Sequence, residues 1–253
     1  MRTGKASTGR VWRRRGMLAL GGALLPGVAA AQGLSEAQRA EVLDILRRAL
    51  VDDPTILRDA FQSLQRAEQA AMADAQRRAI TMNAEVLFRD PEAPVKGNPE
   101  GRVILVEFFD VRCGFCKQLH PVMQQLLAAE DDVRVVLKDL PILGPLSLTA
   151  AQALIAAQAQ GRYVPLYDAL LALREEPTEP VLRREAQRVG LDWARLRRDM
   201  DSTATAARID RNLTLARGLN IQGTPAIIGG TTLLPGAVDL ATLRQLTARL
   251  RGR

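Results

Sequence analysis

VILVEFFDVRCGFCKQLHP, Val103 to Pro121, is the stretch whose reading decides the fold. Val103 to Phe109 are apolar at every position except Glu107, which predicts a strand buried on both faces of a mostly parallel sheet. Asp110, Val111 and Arg112 break that run. From Lys117 to Ala129 the apolar residues Leu119, Met123, Leu126 and Leu127 return at helical spacing. Cys113 therefore falls at or just before a helix N-terminus, where unpaired backbone N–H groups favour negative charge. That environment draws a thiol towards thiolate near neutral pH. Cys113 and Cys116 are the two cysteines of the chain. A structural staple between them would close a very short loop and hardly constrain the unfolded state, so a working redox pair is the expectation. Cys113 is the expected nucleophile and Cys116, one helical turn in, the resolving thiol.

Glu107 is the polar anomaly of the strand. It alternates with Val103, Leu105 and Phe109, so it should share a covered face with them, where lost hydration raises a carboxyl pKa. It is a candidate proton acceptor for Cys116; the competing reading is a Glu bonded to backbone or to Lys138. His120 is the single histidine and lies on the Cys116 side of the helix, where a solvent-facing or locally bonded ring is expected. Pro121 should kink that helix without taking part in chemistry. Two cysteines, one histidine and scattered carboxylates are a poor supply for a zinc site. Lys117 stands where a c-type haem motif needs His, and no Gly-rich phosphate loop appears. Neither a metal nor a cofactor is expected.

Charge is concentrated ahead of this region. The 253-residue chain has a formal net charge of +7, but Arg2, Lys5, Arg10, Arg13, Arg14 and Arg15 all lie in residues 1–31, which hold no acid. Without those six the net charge falls to +1, and no nucleic-acid partner is expected. Met17 to Val28 is apolar and Ala29-Ala30-Ala31 precede Gln32, the anatomy of a cleaved export signal over 1–31. The apolar part is short and Gly/Ala-rich for a membrane span of about 20 residues; an uncleaved anchor is the other reading. Arg14-Arg15-Gly16-Met17-Leu18 resembles a twin-arginine signal, with the general export pathway as its alternative. Export would place the cysteines in an oxidising compartment such as the periplasm.

Residues 32–84 read as a helical arm. Ser35 to Gln38 is a capping box, Val42, Leu43, Leu46 and Leu50 mark one helix face, and Asp53-Pro54 restarts helix. Leu57, Phe61, Leu64, Ala71 and Met72 then recur at roughly heptad intervals. The stripe suits either an arm packed on its own domain or an oligomerising stalk. Pro91, Pro94, Gly97, Asn98 and Pro99 form a breaker-rich connection over about 84–100. Val133 to Leu137 is a second strand, which closes a right-handed βαβ unit. Ser147 to Gly218 is helical by pattern. Gly229-Gly230 between two apolar runs marks a hairpin, and Asp239 caps a last helix carrying Leu240, Leu243, Leu246 and Leu250.

Cys113-Gly114-Phe115-Cys116-Lys117, with Pro121 five residues after the second cysteine, resembles the active-site helix of the thioredoxin fold. The wider string EFFDVRCGFCK, Glu107 to Lys117, is similar to the DsbA-like branch of bacterial thiol-disulfide oxidoreductases. Lys138 to Gly144 and Gly223-Thr224-Pro225-Ala226 resemble two further segments of that branch. The resemblance implies an α/β thioredoxin-like domain over 100–253 with a helical insertion at about 146–218. It further implies a buried acid at Glu107 near the second cysteine, and a cis-proline loop at Thr224-Pro225 that binds an extended client chain. The implied partners are reduced or misoxidised exported proteins and a membrane partner that resets the cysteine pair. DsbA-like oxidases often carry Pro-His between the cysteines; Gly114-Phe115 lacks that imidazole and is closer to the Gly-Tyr of disulfide isomerases. Each ~1.4 kcal/mol of stabilisation lost from the reduced form moves the potential by about 30 mV towards reducing, so an isomerase or reductase is expected over a strong oxidase. A chaperone without redox activity, or a protein holding Cu(I) on the pair, is the competing class.

Overall fold

The computed structural model describes residues 33–252; the export-signal reading of residues 1–31 lies outside them. The described residues fall into two compact units that divide between Gln62 and Ser63. The first holds α1 (Glu36–Asp52) and the start of α2 (Thr55–Met82). Ser35 closes the capping box in both directions: its N–H donates to Gln38 Oε1 at 2.9 Å, and the Gln38 N–H donates to Ser35 Oγ at 3.3 Å. Asp53 Oδ1 accepts the Thr55 N–H at 2.9 Å and starts α2. Val42, Leu43, Leu46, Leu57 and Phe61 are exposed, so the apolar stripe of this unit faces solvent.

The second unit holds the rest of α2, then α3 (Ala84–Phe88), β1 (Val95–Gly97), β2 (Val103–Phe109), α4 (Gly114–Ala129) and β3 (Val133–Asp139). Five helices follow: α5 (Pro145–Gln158), α6 (Tyr163–Leu171), α7 (Glu179–Arg188), α8 (Trp193–Met200) and α9 (Thr203–Gly218). The hairpin β4 (Ala226–Gly229) and β5 (Thr232–Pro235) and the helix α10 (Leu240–Arg251) complete it. The sheet order is β1-β3-β2-β4-β5, with β2 and β3 parallel and the other pairs antiparallel. This is the α/β architecture with an inserted helical block that the resemblance implied, preceded by the helical N-terminal region that the capping and apolar spacing predicted.

Alternation along the central strands sorts side chains onto two faces. Val103, Leu105 and Phe109 of β2, with Val133, Val135 and Leu137 of β3, pack against α4, α5, α6, α8 and α10. Val106, Phe108 and Val136 pack on the other face against Ile80 of α2, Leu87 of α3, and Leu215 and Ala216 of α9. Glu107, paired with Leu137 on one side and Ile227 on the other, points to the first face.

The breaker-rich connection contains a strand that periodicity does not reveal. Val95, Lys96 and Gly97 pair antiparallel with Val136, Val135 and Arg134 at the sheet edge. Three residues between prolines are too few for alternation to register. Gly97 has φ +87°, and a Cβ there would lie 2.7 Å from both Leu127 Cδ2 and the Val133 carbonyl oxygen. Gly97→Ala is therefore expected to lower stability by about 2 kcal/mol or more, read as a fall in the urea midpoint.

Candidate active site

The turn after β2 is held by Asp110, which is buried. Its Oδ1 accepts the Arg112 N–H at 2.9 Å, and its Oδ2 accepts the N–H groups of Ile142 and Leu143 at 3.0 and 3.1 Å. Its carbonyl accepts the Cys113 N–H at 3.0 Å. One carboxylate thus ties the cysteine turn to the loop that leaves β3. Arg112 reaches outward from that turn, donating to the Leu143 carbonyl and pairing with Glu176 at 2.6 Å.

Cys113 is the N-cap of α4, in extended conformation, and its carbonyl accepts the Lys117 N–H at 3.1 Å. It is more covered than an exposed turn would predict, keeping 8% of its accessibility, while Cys116 keeps 0%. Both are free thiols. Thr224-Pro225 is a cis peptide, and the Cys113 thiol donates to the Thr224 carbonyl at 3.1 Å. Burial pushes the Cys116 thiol far up, against backbone hydrogen bonding at Asp110, and the neighbouring charges of Cys113 and Glu107 push the same way as burial. Cys116 therefore keeps its proton until a base takes it. Phe115, between the cysteines, is 60% exposed.

Glu107 lies beneath this turn, fully buried, and its partner is neither backbone nor Lys138. Lys138 belongs to the opposite face of the sheet and pairs with Asp90 at 2.6 Å. The Tyr167 hydroxyl of α6 donates to Glu107 Oε2 at 3.0 Å, and Glu107 Oε1 has no hydrogen-bond partner among the described residues. Tyr167 packs edge-on against Phe109 with ring centroids 4.8 Å apart. Lys96 Nζ stands 5.2 Å from the Tyr167 ring centroid and pairs with Asp168. Burial raises the Glu107 carboxyl to about 7, opposed by the Tyr167 hydrogen bond and by Lys96 and reinforced by Asp168.

A carboxyl whose proton affinity rises on folding supports the folded state below its unfolded pKa and withdraws that support as pH climbs through the folded value. Glu107→Gln keeps an acceptor for Tyr167 and does not ionise. The variant is expected to gain about 3 kcal/mol relative to the parent between pH 4 and pH 8, measured as the difference in unfolding free energy at each pH.

Of its two expected settings, solvent-facing or locally engaged, His120 takes the second. It is buried, its ring meets Tyr167 edge-on at 5.5 Å, and its Nε2 lies 3.4 Å from Asp168 Oδ1. Thus Cys113, Cys116, Thr224 and Pro225 meet at the start of α4, with Glu107 below them. Tyr167, Lys96 and Asp168, which sequence reasoning did not single out, surround that acid. The chain holds two tyrosines, and both rest on buried carboxylates: Tyr163 donates to Asp139 Oδ2 at 2.8 Å as Tyr167 does to Glu107. Their four-residue spacing in a helical block was the available clue.

The domain family described as DSBA-like thioredoxin domain matches residues 104–248. Among solved structures, a thioredoxin-like oxidoreductase from Silicibacter pomeroyi is 40% identical with a TM-score of 0.65, covering 67% of this chain and 98% of its own. A Proteus mirabilis ScsC variant with a linker deletion is 26% identical with a TM-score of 0.67, covering 88% and 99%. The thiol-disulfide exchange protein alpha-DsbA2 of Wolbachia pipientis is 28% identical with a TM-score of 0.66, covering 71% and 98%. The curated proteins that match, named as Na(+)/H(+) antiporters, are much longer, and the chain spans 21% to 27% of their length. With a cysteine pair at the head of its first domain helix and a family match over more than half its length, the chain belongs to the DsbA-like thiol-disulfide oxidoreductase family.

Proposed function

We propose that this protein exchanges disulfides with exported client proteins in the periplasm, acting as an isomerase or reductase in preference to a strong oxidase. The observation that carries the reading is the 3.1 Å hydrogen bond from Cys113 Sγ to the Thr224 carbonyl. It sets the first cysteine against a loop backbone that an extended client can pair with. In this reading Cys113 attacks a client disulfide and forms a mixed disulfide. Cys116 gives its proton to Glu107, bonds to Cys113 and releases the client sulfur as a thiolate. Gly114-Phe115 offers no imidazole to stabilise the reduced form, which favours a reducing poise. Export rests on the leader sequence, and a membrane partner would reset the pair. The exposed apolar residues of α1 and early α2 suit a homo-oligomer built through the N-terminal helices, which would surround a client with several cysteine pairs.

Refolding of scrambled ribonuclease tests the reading. The protein should restore activity, faster than it oxidises reduced ribonuclease, and Cys113→Ser should remove that catalysis. Suppression of aggregation that survives Cys113→Ser would favour a chaperone instead. Faster oxidation than unscrambling would favour an oxidase.

A further inference from the structure

Glu107 is enclosed, so a proton that it does not hand back to Cys116 has to reach solvent through protein. Tyr167 and Asp168 of α6, Lys96 of β1 and Cys116 of α4 share the electrostatic surroundings of Glu107, and His120 of α4 packs on Tyr167. Two buried polar atoms in this group lack a hydrogen-bond partner among the described residues: Glu107 Oε1 and His120 Nδ1. Tyr167 connects them, bonded to Glu107 through its hydroxyl and packed on His120 through its ring. The far nitrogen of the imidazole, Nε2, faces Asp168 at 3.4 Å. His120 and Asp168 line an open cavity of about 650 Å³ beside the cysteine helix, together with Gly114, Lys117, Gln124 and Arg174. The histidine therefore lies between the Tyr167 ring and the cavity.

We propose that His120 is the proton carrier that returns the proton of Glu107 to solvent through this cavity. The inference rests on the reading of Glu107 as acceptor for Cys116. When the mixed disulfide resolves, the Cys116 proton passes to Glu107, the Cys116–Cys113 sulfur bond forms, and the client sulfur departs with the electron pair of the broken bond. No outside oxidant enters the step. The carboxyl proton then moves to Nδ1 of neutral His120, through a water bridging the two partnerless atoms. The imidazolium, beside Asp168, gives up its Nε2 proton to the cavity. Burial and the nearby Lys96 charge lower the His120 pKa, with Asp168 opposing; the ring therefore rests neutral and does not hold the proton it receives.

The test separates one turnover from many, at pH 8 where Glu107 begins ionised. In a preformed mixed disulfide, His120→Ala should resolve at the parent rate, because a single proton has only to reach Glu107. In multiple-turnover exchange the variant should be slower, on the order of 10²-fold. Added imidazole should restore the rate in proportion to its unprotonated fraction, since the missing ring opens the cavity wall. His120→Gln, which keeps volume and polarity, should show the same loss with less rescue. Parent-like turnover in either variant would overturn the proposal, as would a slowdown already present in the single turnover or insensitive to imidazole. Glu107→Gln reports on the underlying reading: unchanged single-turnover resolution there would remove Glu107 as acceptor, independently of His120.

Discussion

Cys116→Ser is expected to turn the protein into a covalent trap. Cys113 still attacks a client disulfide, but the thiol that would release it is gone. Cys116 is fully buried at the first turn of α4, and Cys113 keeps 8% of its accessibility beside the Thr224 carbonyl, so a thiol from solution has little access to the Cys113 sulfur. Well-oriented intramolecular groups act at effective molarities of about 10⁵ to 10⁸ M; millimolar external thiol cannot match that. Resolution should fall by at least about 10³-fold. Mass spectrometry without reductant should find a stable one-to-one adduct of protein and client, absent when Cys113 is also replaced. An adduct that clears at the parent rate would mean that Cys116 is not the resolving thiol.

The second large effect is on stability. Asp110→Ala removes the acceptor of three backbone N–H groups, those of Arg112, Ile142 and Leu143. Each buried donor left without a partner costs about 1–3 kcal/mol, and water entering the shortened side chain's space recovers part of that. A net loss on the order of 4 kcal/mol is expected, with Asp110→Asn retaining about half because one oxygen remains to accept. Urea unfolding of the reduced protein measures this without a contribution from the disulfide. A loss under about 1 kcal/mol would show that the turn and the loop after β3 hold together without the carboxylate.

The heart of the fold was legible because it is contiguous. Strand, turn, cysteines and helix lie within Val103–Pro121, where residue order alone brings them together, and the two local periods are long enough to read. Glu107 stood out for the same reason, as one acid in an apolar strand. What surrounds Glu107 could not be read that way. Tyr167 lies 60 positions away in the sequence, and Lys96 and Asp168 are 72 apart. Such partners meet only after the insertion folds back on the sheet, and no local pattern encodes that docking. The burial of His120 was illegible for a different reason. Spacing puts it on the Cys116 side of the helix, but a lone imidazole there can point to solvent or inward; Cys116, Leu119, His120 and Met123 are all buried, a stripe wide enough to include the polar residue. The strand at Val95–Gly97 was hidden by its brevity.

The helix α6 anchors the inserted block through two phenols, one on each of two neighbouring parallel strands. The attachment point is thus also the immediate environment of the acid under the cysteines. Exchanging this helix for a counterpart from another member of the family would change the surroundings of Glu107 while leaving every residue of the Cys-Gly-Phe-Cys segment untouched. On the proposed role of Glu107, a segment distant in sequence from the two sulfurs thus shapes the setting of the group that takes their proton.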